Sequence, residues 1–199
     1  WKLPNPSVAF GAMLFTFTGY SMASWLWLVH IAVLAHLPWL LYAIDVALRS
    51  TNRRAIVLAS FGIVLLTTSE LLVGYPQMVY VIGLVEALYT LSIVRLSPRP
   101  WVITLLPIAK LLGVGCAAIQ ILPTLDLLQH STRANADFEF RMQQSLHPFN
   151  LLSLVNPYLF HQRMYEGNGY QGLYGGVVAT LMAAWLVLRF RKLSVPRIL

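Results

Sequence analysis

The stretch PTLDLLQHSTRANADFEFRMQQSLHPFNLLSLVNPYLFHQRMYEGNGYQ, residues 123–171, decides how the chain is read. It carries four of the seven acidic residues (Asp126, Asp137, Glu139, Glu166) and three of the five histidines (His130, His147, His161). On both sides of it the sequence consists of apolar blocks of roughly 16–22 residues. At about 1.5 Å per helical residue, such blocks cross a hydrocarbon core of about 30 Å. A polar stretch in this company lies outside the hydrocarbon or lines a wet cavity within it. The surrounding blocks are its membrane frame.

Composition agrees with that division. The chain has 199 residues, is 58% hydrophobic and 11% charged, and has a mean hydropathy of +0.67. An ordinary soluble domain is about one-quarter charged. The class expected is an all-α polytopic membrane protein, a single domain over residues 1–199. The chain starts at Trp1 and stops at RKLSVPRIL, just past a hydrophobic block. We therefore expect an internal portion of a longer protein, with N- and C-terminal portions beyond it. A net charge of +7 invites a nucleic-acid reading. Basic residues also gather in cytoplasmic loops of membrane proteins, and that is the explanation adopted. The single Cys116 sits within an apolar block and allows no intrachain disulfide.

Six spans are expected: 6–22, about 31–48, 55–73, 78–94, 101–122 and about 172–188. Residues 23–48 are either one long helix or an interfacial piece followed by that second span, and Trp25 and Trp27 suit a membrane interface. The basic residues then alternate between loops. Arg49, Arg53 and Arg54 follow the second span, Arg95 and Arg99 the fourth, and Arg189, Arg191 and Lys192 the last. Lys2 precedes the first, while the connection after it and GYPQ (74–77) carry no Lys or Arg. Six spans with both ends cytoplasmic keep every basic cluster on one side. Residues 123–171 then form an extracytoplasmic segment. Within it LHPFNLLSLVNPYLF (146–160), too short to span and broken by Pro148 and Pro157, is read as an interfacial or re-entrant piece.

Two charges fall in mid-span, Glu86 in the fourth and Lys110 in the fifth. Antiparallel neighbours would bring them to a similar depth, so an intramembrane ion pair is expected. Its first reading is structural, fixing helix packing; a proton or substrate relay is the alternative. A second group gathers at the end opposite the basic loops. TTSE (67–70) ends the third span in Glu70, and Gln77 opens the fourth. If the fifth stays helical past Pro123, Asp126, His130 and Arg133 fall at i, i+4 and i+7 on one face. His30 and His36 lie near the same end of the second. No GxSxG elbow, Walker loop or GxGxxG is present. The histidines show neither HxxxH nor HExxH spacing, so no metal site is expected. The Gly-rich GNGYQGLYGG (167–176) reads as a turn and close helix approach.

Several of these segments resemble, in order, the YfhO-like bacterial membrane proteins. GYPQMVYVIGLVEALYTL is similar to that family's Gly-His-Pro-Gln turn and following helix, with Tyr75 where the family often has His. AIQILPTLDLLQHSTR resembles its Gln-x-x-Pro-Thr and Ser-x-Arg stretch, SLHPFNLLSLVNPYLF its Pro-rich segment, YQGLYGG its Tyr-x-Gly entry to a span, and HIAVLAHLPWLLYAIDVALR its His- and Pro-bearing second helix. The resemblance implies part of a C-type glycosyltransferase in the bacterial cytoplasmic membrane. Such an enzyme takes sugar from a polyprenyl-phosphate donor on the outer face. Its catalytic carboxylate belongs to a first outer loop, and the connection after the first span here has no acid. The catalytic residue is therefore unknown in this portion. What the portion would supply is lipid- and sugar-binding surface: Arg133, with His130 beside it, for the leaving phosphate, and Glu70, Gln77 and Asp126 for sugar hydroxyls. Membrane lipids and the polyprenyl-phosphate sugar are the expected partners, with no other cofactor evident. Two other classes remain. A transporter or flippase would use Glu86, Lys110 and Pro107, and a non-catalytic assembly subunit would need no base.

Overall fold

The computed structural model describes residues 4–17, 21, 28–131, 180, 181, 184, 185 and 188. The chain divides into two compact units, Trp1–Leu26 with Ala136–Leu199, and Trp27–Asn135. Among the described residues all regular structure is helical. The first unit contributes α1 (Asn5–Thr16), entered through Pro4 and Pro6. The second contributes α2 (Leu28–Leu34), α3 (His36–Arg49), α4 (Arg53–Leu72), α5 (Pro76–Ile93), a 3-10 turn (Val94–Leu96), α6 (Trp101–Cys116) and α7 (Ala118–Gln129).

Local chemistry sets these boundaries. Asn52 is extended, and its Oδ1 accepts the Arg54 N–H at 3.0 Å, a cap that starts α4. Gly74, at φ +81, turns the chain out of α4. L side chains rarely adopt that conformation, and glycine has no Cβ to oppose it. Pro76 then opens α5, where a missing N–H costs nothing. At the end of α6 the Ala117 N–H reaches both Gly113 O and Val114 O at 3.1 Å. The helix tightens there and restarts as α7, bent by 68°.

Among the described residues, three helical stretches are long and apolar enough to cross a membrane: Leu28–Arg49, Arg53–Leu72 and Pro76–Ile93. The bent pair α6–α7 is a fourth if it counts as one span. The fifth expected span, read as unbroken over 101–122, is thus interrupted at Ala117. The helix also continues through Pro123 to Gln129. Of the expected end spans, α1 has 12 residues, and most of 172–188 lies outside the described residues. The polar segment beyond Ser131 lies outside them too.

In the second unit α4 is the centre, packed along α3 and α6. Ile44, Leu48, Ile56, Ile63, Val102 and Leu106 lead the core between them. A smaller cluster, Val33, Leu40 and Ile82, joins α2, α3 and α5. The contact of α4 with α6 is close. A Cβ on Gly113 would lie 2.7 Å from Thr67 Cβ and 3.0 Å from Val64 O, so only glycine fits. Thr68 Oγ1 lies 2.8 Å from Val64 O and 3.1 Å from Gly113 O, tying the same seam by hydrogen bonding. Helix α5 rests mainly on α3 and α2 and touches α4 little. That leaves space between α4, α5 and α6. Outward faces stay apolar, with Leu58, Phe61 and Leu65 on α4 and Leu84 and Leu88 on α5 exposed.

Candidate functional site

The space between α4, α5 and α6 is a cavity of about 680 Å³. That is within the range of about 300–1,000 Å³ usual for small-molecule sites. Its wall is mostly apolar, with Ile63, Val79, Leu106 and Val114 among the lining residues. Thr67, Glu70, Glu86 and Lys110 make a polar patch on it. Gly83 faces open space, with nothing within 4 Å of where its Cβ would be.

The patch is built around one ammonium. Lys110 Nζ lies 2.5 Å from Glu86 Oε2 and 3.5 Å from Glu70 Oε1. Glu70 and Glu86 are 1% and 3% exposed. Sequence spacing leads to the Glu86–Lys110 contact because both residues fall in mid-span. Glu70 is a less obvious partner. Counted from the Thr67–Gly113 contact, it lies about 9 Å further along the bundle than the Lys110 backbone, at 1.5 Å per residue. The lysine's four-carbon stem and the glutamate's lean toward its own helix N-terminus close that gap. Thr67 and Glu70, at i and i+3, share one face of α4. Thr67 Oγ1, Glu70 Oε2 and Glu86 Oε1 are buried and make no hydrogen bond among the described residues. Two carboxylates share one ammonium, so the ionised cluster carries a net charge of −1.

The other expected site residues lie elsewhere. Gln77 is exposed at the second position of α5. Asp126, on the last turn of α7, and His130, which caps it, come together. His130 Nδ1 lies 2.9 Å from the Asp126 carbonyl oxygen and 4.0 Å from its Oδ1, with both side chains about three-quarters exposed. Arg133 lies outside the described residues. Of the sequence-predicted group, the structure thus joins Glu70 to Glu86 and Lys110, and Asp126 to His130. Near the same end, His36 Nε2 is 3.0 Å from Ser69 Oγ, the His30 and Tyr75 rings are 4.3 Å apart, and the Gln120 amide lies beside Gly74.

A polar cluster that sequence reading missed lies toward the basic loops. Tyr89 Oη donates to Asp45 Oδ1 at 2.9 Å, and Arg49 Nε lies 2.8 Å from the same oxygen. Arg99 donates to Thr51 O at 2.8 Å. The i, i+4 spacing of Asp45 and Arg49 was the available signal; nothing local marks Tyr89. No group of three or more His, Cys, Asp or Glu with metal-binding geometry occurs among the described residues. No protein-family model matches the chain, and comparison with curated proteins and with solved structures gives no match.

Proposed function

We propose that this chain is part of a C-type membrane glycosyltransferase that takes sugar from a polyprenyl-phosphate donor at the outer membrane face. This portion supplies lipid- and sugar-binding surface. The observation that carries the reading is the bent pair α6–α7. Its second limb is bent 68° from the first and displays Asp126 and His130 exposed. An oblique apolar helix ending in polar side chains suits a membrane boundary, where prenyl chain and phosphate part company. Six spans with cytoplasmic ends would put this limb, and residues 123–171, outside. On it His130, with Arg133 three residues on, meets the leaving phosphate. Asp126 and Gln77 accept and donate hydrogen bonds to sugar hydroxyls. Glu70 turns inward to Lys110, so its part in sugar binding would be indirect.

The test uses the intact protein in liposomes with a radiolabelled polyprenyl-phosphate sugar. Sugar transfer should occur, and Arg133→Ala should reduce it at least tenfold. Full transfer by that variant removes the phosphate role; no transfer by the parent removes the enzyme reading. A transporter is the second reading. It is favoured by the buried Glu70–Lys110–Glu86 cluster on a cavity, since ionisable groups inside a membrane commonly mark a pathway. Accumulation of a solute in sealed vesicles, without sugar transfer, would select it.

A further inference from the structure

The cavity wall asks for a ligand of particular chemistry. Its three unpartnered buried oxygens, on Thr67, Glu70 and Glu86, are 3%, 1% and 3% exposed as residues, and all three residues line the cavity. Among the described residues Lys110 is the only cation lining the cavity, and it already serves both carboxylates. With both glutamates ionised, the wall lacks hydrogen-bond donors for their open oxygens and one positive charge, while the Thr67 hydroxyl can accept as well as donate. An anion such as a phosphate would meet two carboxyl groups for one ammonium and find no free cation. A neutral polyol supplies donors and leaves the charge unbalanced in a low-dielectric setting. A quaternary ammonium balances the charge but has no N–H to give.

We propose that this cavity is a binding site for a protonated primary amine carried on an apolar body, its N–H groups set against Thr67, Glu70 and Glu86. The three N–H groups of an alkylammonium equal the three open oxygens in number. Two carboxylates and two ammoniums then make a neutral quartet. The rest of the molecule lies along Ile63, Val79, Leu106 and Val114. This site does not depend on the glycosyltransferase reading, and either can fail without the other.

The test measures equilibrium binding of tritiated decylamine to the intact protein in lipid nanodiscs at neutral pH, against empty discs. Saturable binding at one site per chain is expected. Decyltrimethylammonium and decyl glucoside should compete at least tenfold more weakly than unlabelled decylamine. Glu86→Gln should raise the Kd at least tenfold. Because that change can disturb folding, Gly83→Phe provides a second arm: it projects into open space and should abolish binding while the melting temperature is held. Binding equal to that of empty discs overturns the proposal. So does decyl glucoside competing as well as decylamine, or unchanged binding in Gly83→Phe.

Discussion

Two polar clusters in the Trp27–Asn135 unit use the same kinds of group and end differently. Toward the basic loops, Asp45 meets one guanidinium and one phenol, at 2.8 and 2.9 Å. One negative charge faces one positive charge, and neither Asp45 nor Arg49 borders the cavity. Between α4, α5 and α6, one ammonium is divided between two carboxylates, and three oxygens on the cavity wall have no hydrogen bond among the described residues. Burying charge costs several kcal/mol per ion unless pairing returns it. The first cluster sets one charge against one. The second does not, and the imbalance faces open space. An ion pair by itself says little about function; an unbalanced one beside a cavity identifies what is needed to complete it.

The largest expected effect separates the two clusters directly. Lys110→Met leaves two buried carboxylates without a counter-charge and should destabilise by about 3–5 kcal/mol, the usual cost of removing one partner from a buried pair. Unfolding of the intact protein in SDS or by heat measures it. Adding Glu86→Gln should restore only part of the loss, because Glu70 stays buried without its lysine. The triple variant Glu70→Gln, Glu86→Gln, Lys110→Met should restore most of it. If the double variant recovers as fully as the triple, Glu70 is no member of the cluster.

Next come two glycines whose surroundings differ. Gly113→Val drives a side chain into Thr67 and Val64 O and should cost about 1–3 kcal/mol, as overpacking does. Gly83→Ala enters open space in α5 and should instead stabilise by up to about 1 kcal/mol through helix propensity. Opposite signs from one class of change would show that the α4–α6 seam is closed and the cavity beside α5 is open. At the balanced cluster, Tyr89→Phe removes one hydrogen bond to Asp45 and should cost about 1 kcal/mol. A loss as large as that of Lys110→Met would mean that the Asp45 cluster is no better balanced than the other.

The sequence led to much of the helical framework because the signals there are local and strong. Apolar length places α4 and α5 within a few residues of the spans expected, and Asn52, Gly74 and Pro76 mark their ends chemically. The break at Ala117 was not legible. Proline is the usual helix breaker, yet the helix runs through Pro107 and Pro123 and is interrupted instead at Ala117. The tight α4–α6 seam requires Gly113, and no pattern along one strand of sequence reveals what a glycine packs against. The mid-span charges of Glu86 and Lys110 were legible because charge in an apolar block is costly wherever it falls. Glu70 was read as an exit residue because depth counted along one helix ignores how far a neighbouring lysine reaches. Its burial follows from the relative shift of α4 and α6, which is a property of tertiary packing.

The smallest expected effect on stability lies on α7, outside both clusters. Asp126 and His130 sit 4.0 Å apart, about three-quarters exposed, at i and i+4. Such a pair is solvent-screened, and Asp126→Asn or His130→Ala should change stability by no more than about 0.5 kcal/mol. That near-silence makes the site informative, because any loss of function there cannot be charged to misfolding. If α7 carries the donor's phosphate, His130→Ala should lower sugar transfer several-fold with the melting temperature unchanged, and it should leave decylamine binding in the cavity as it was. If transfer and amine binding fall together, the cavity and the α7 surface act as one site. The contrast between a wall that binds and a limb that presents substrate would then have to be given up.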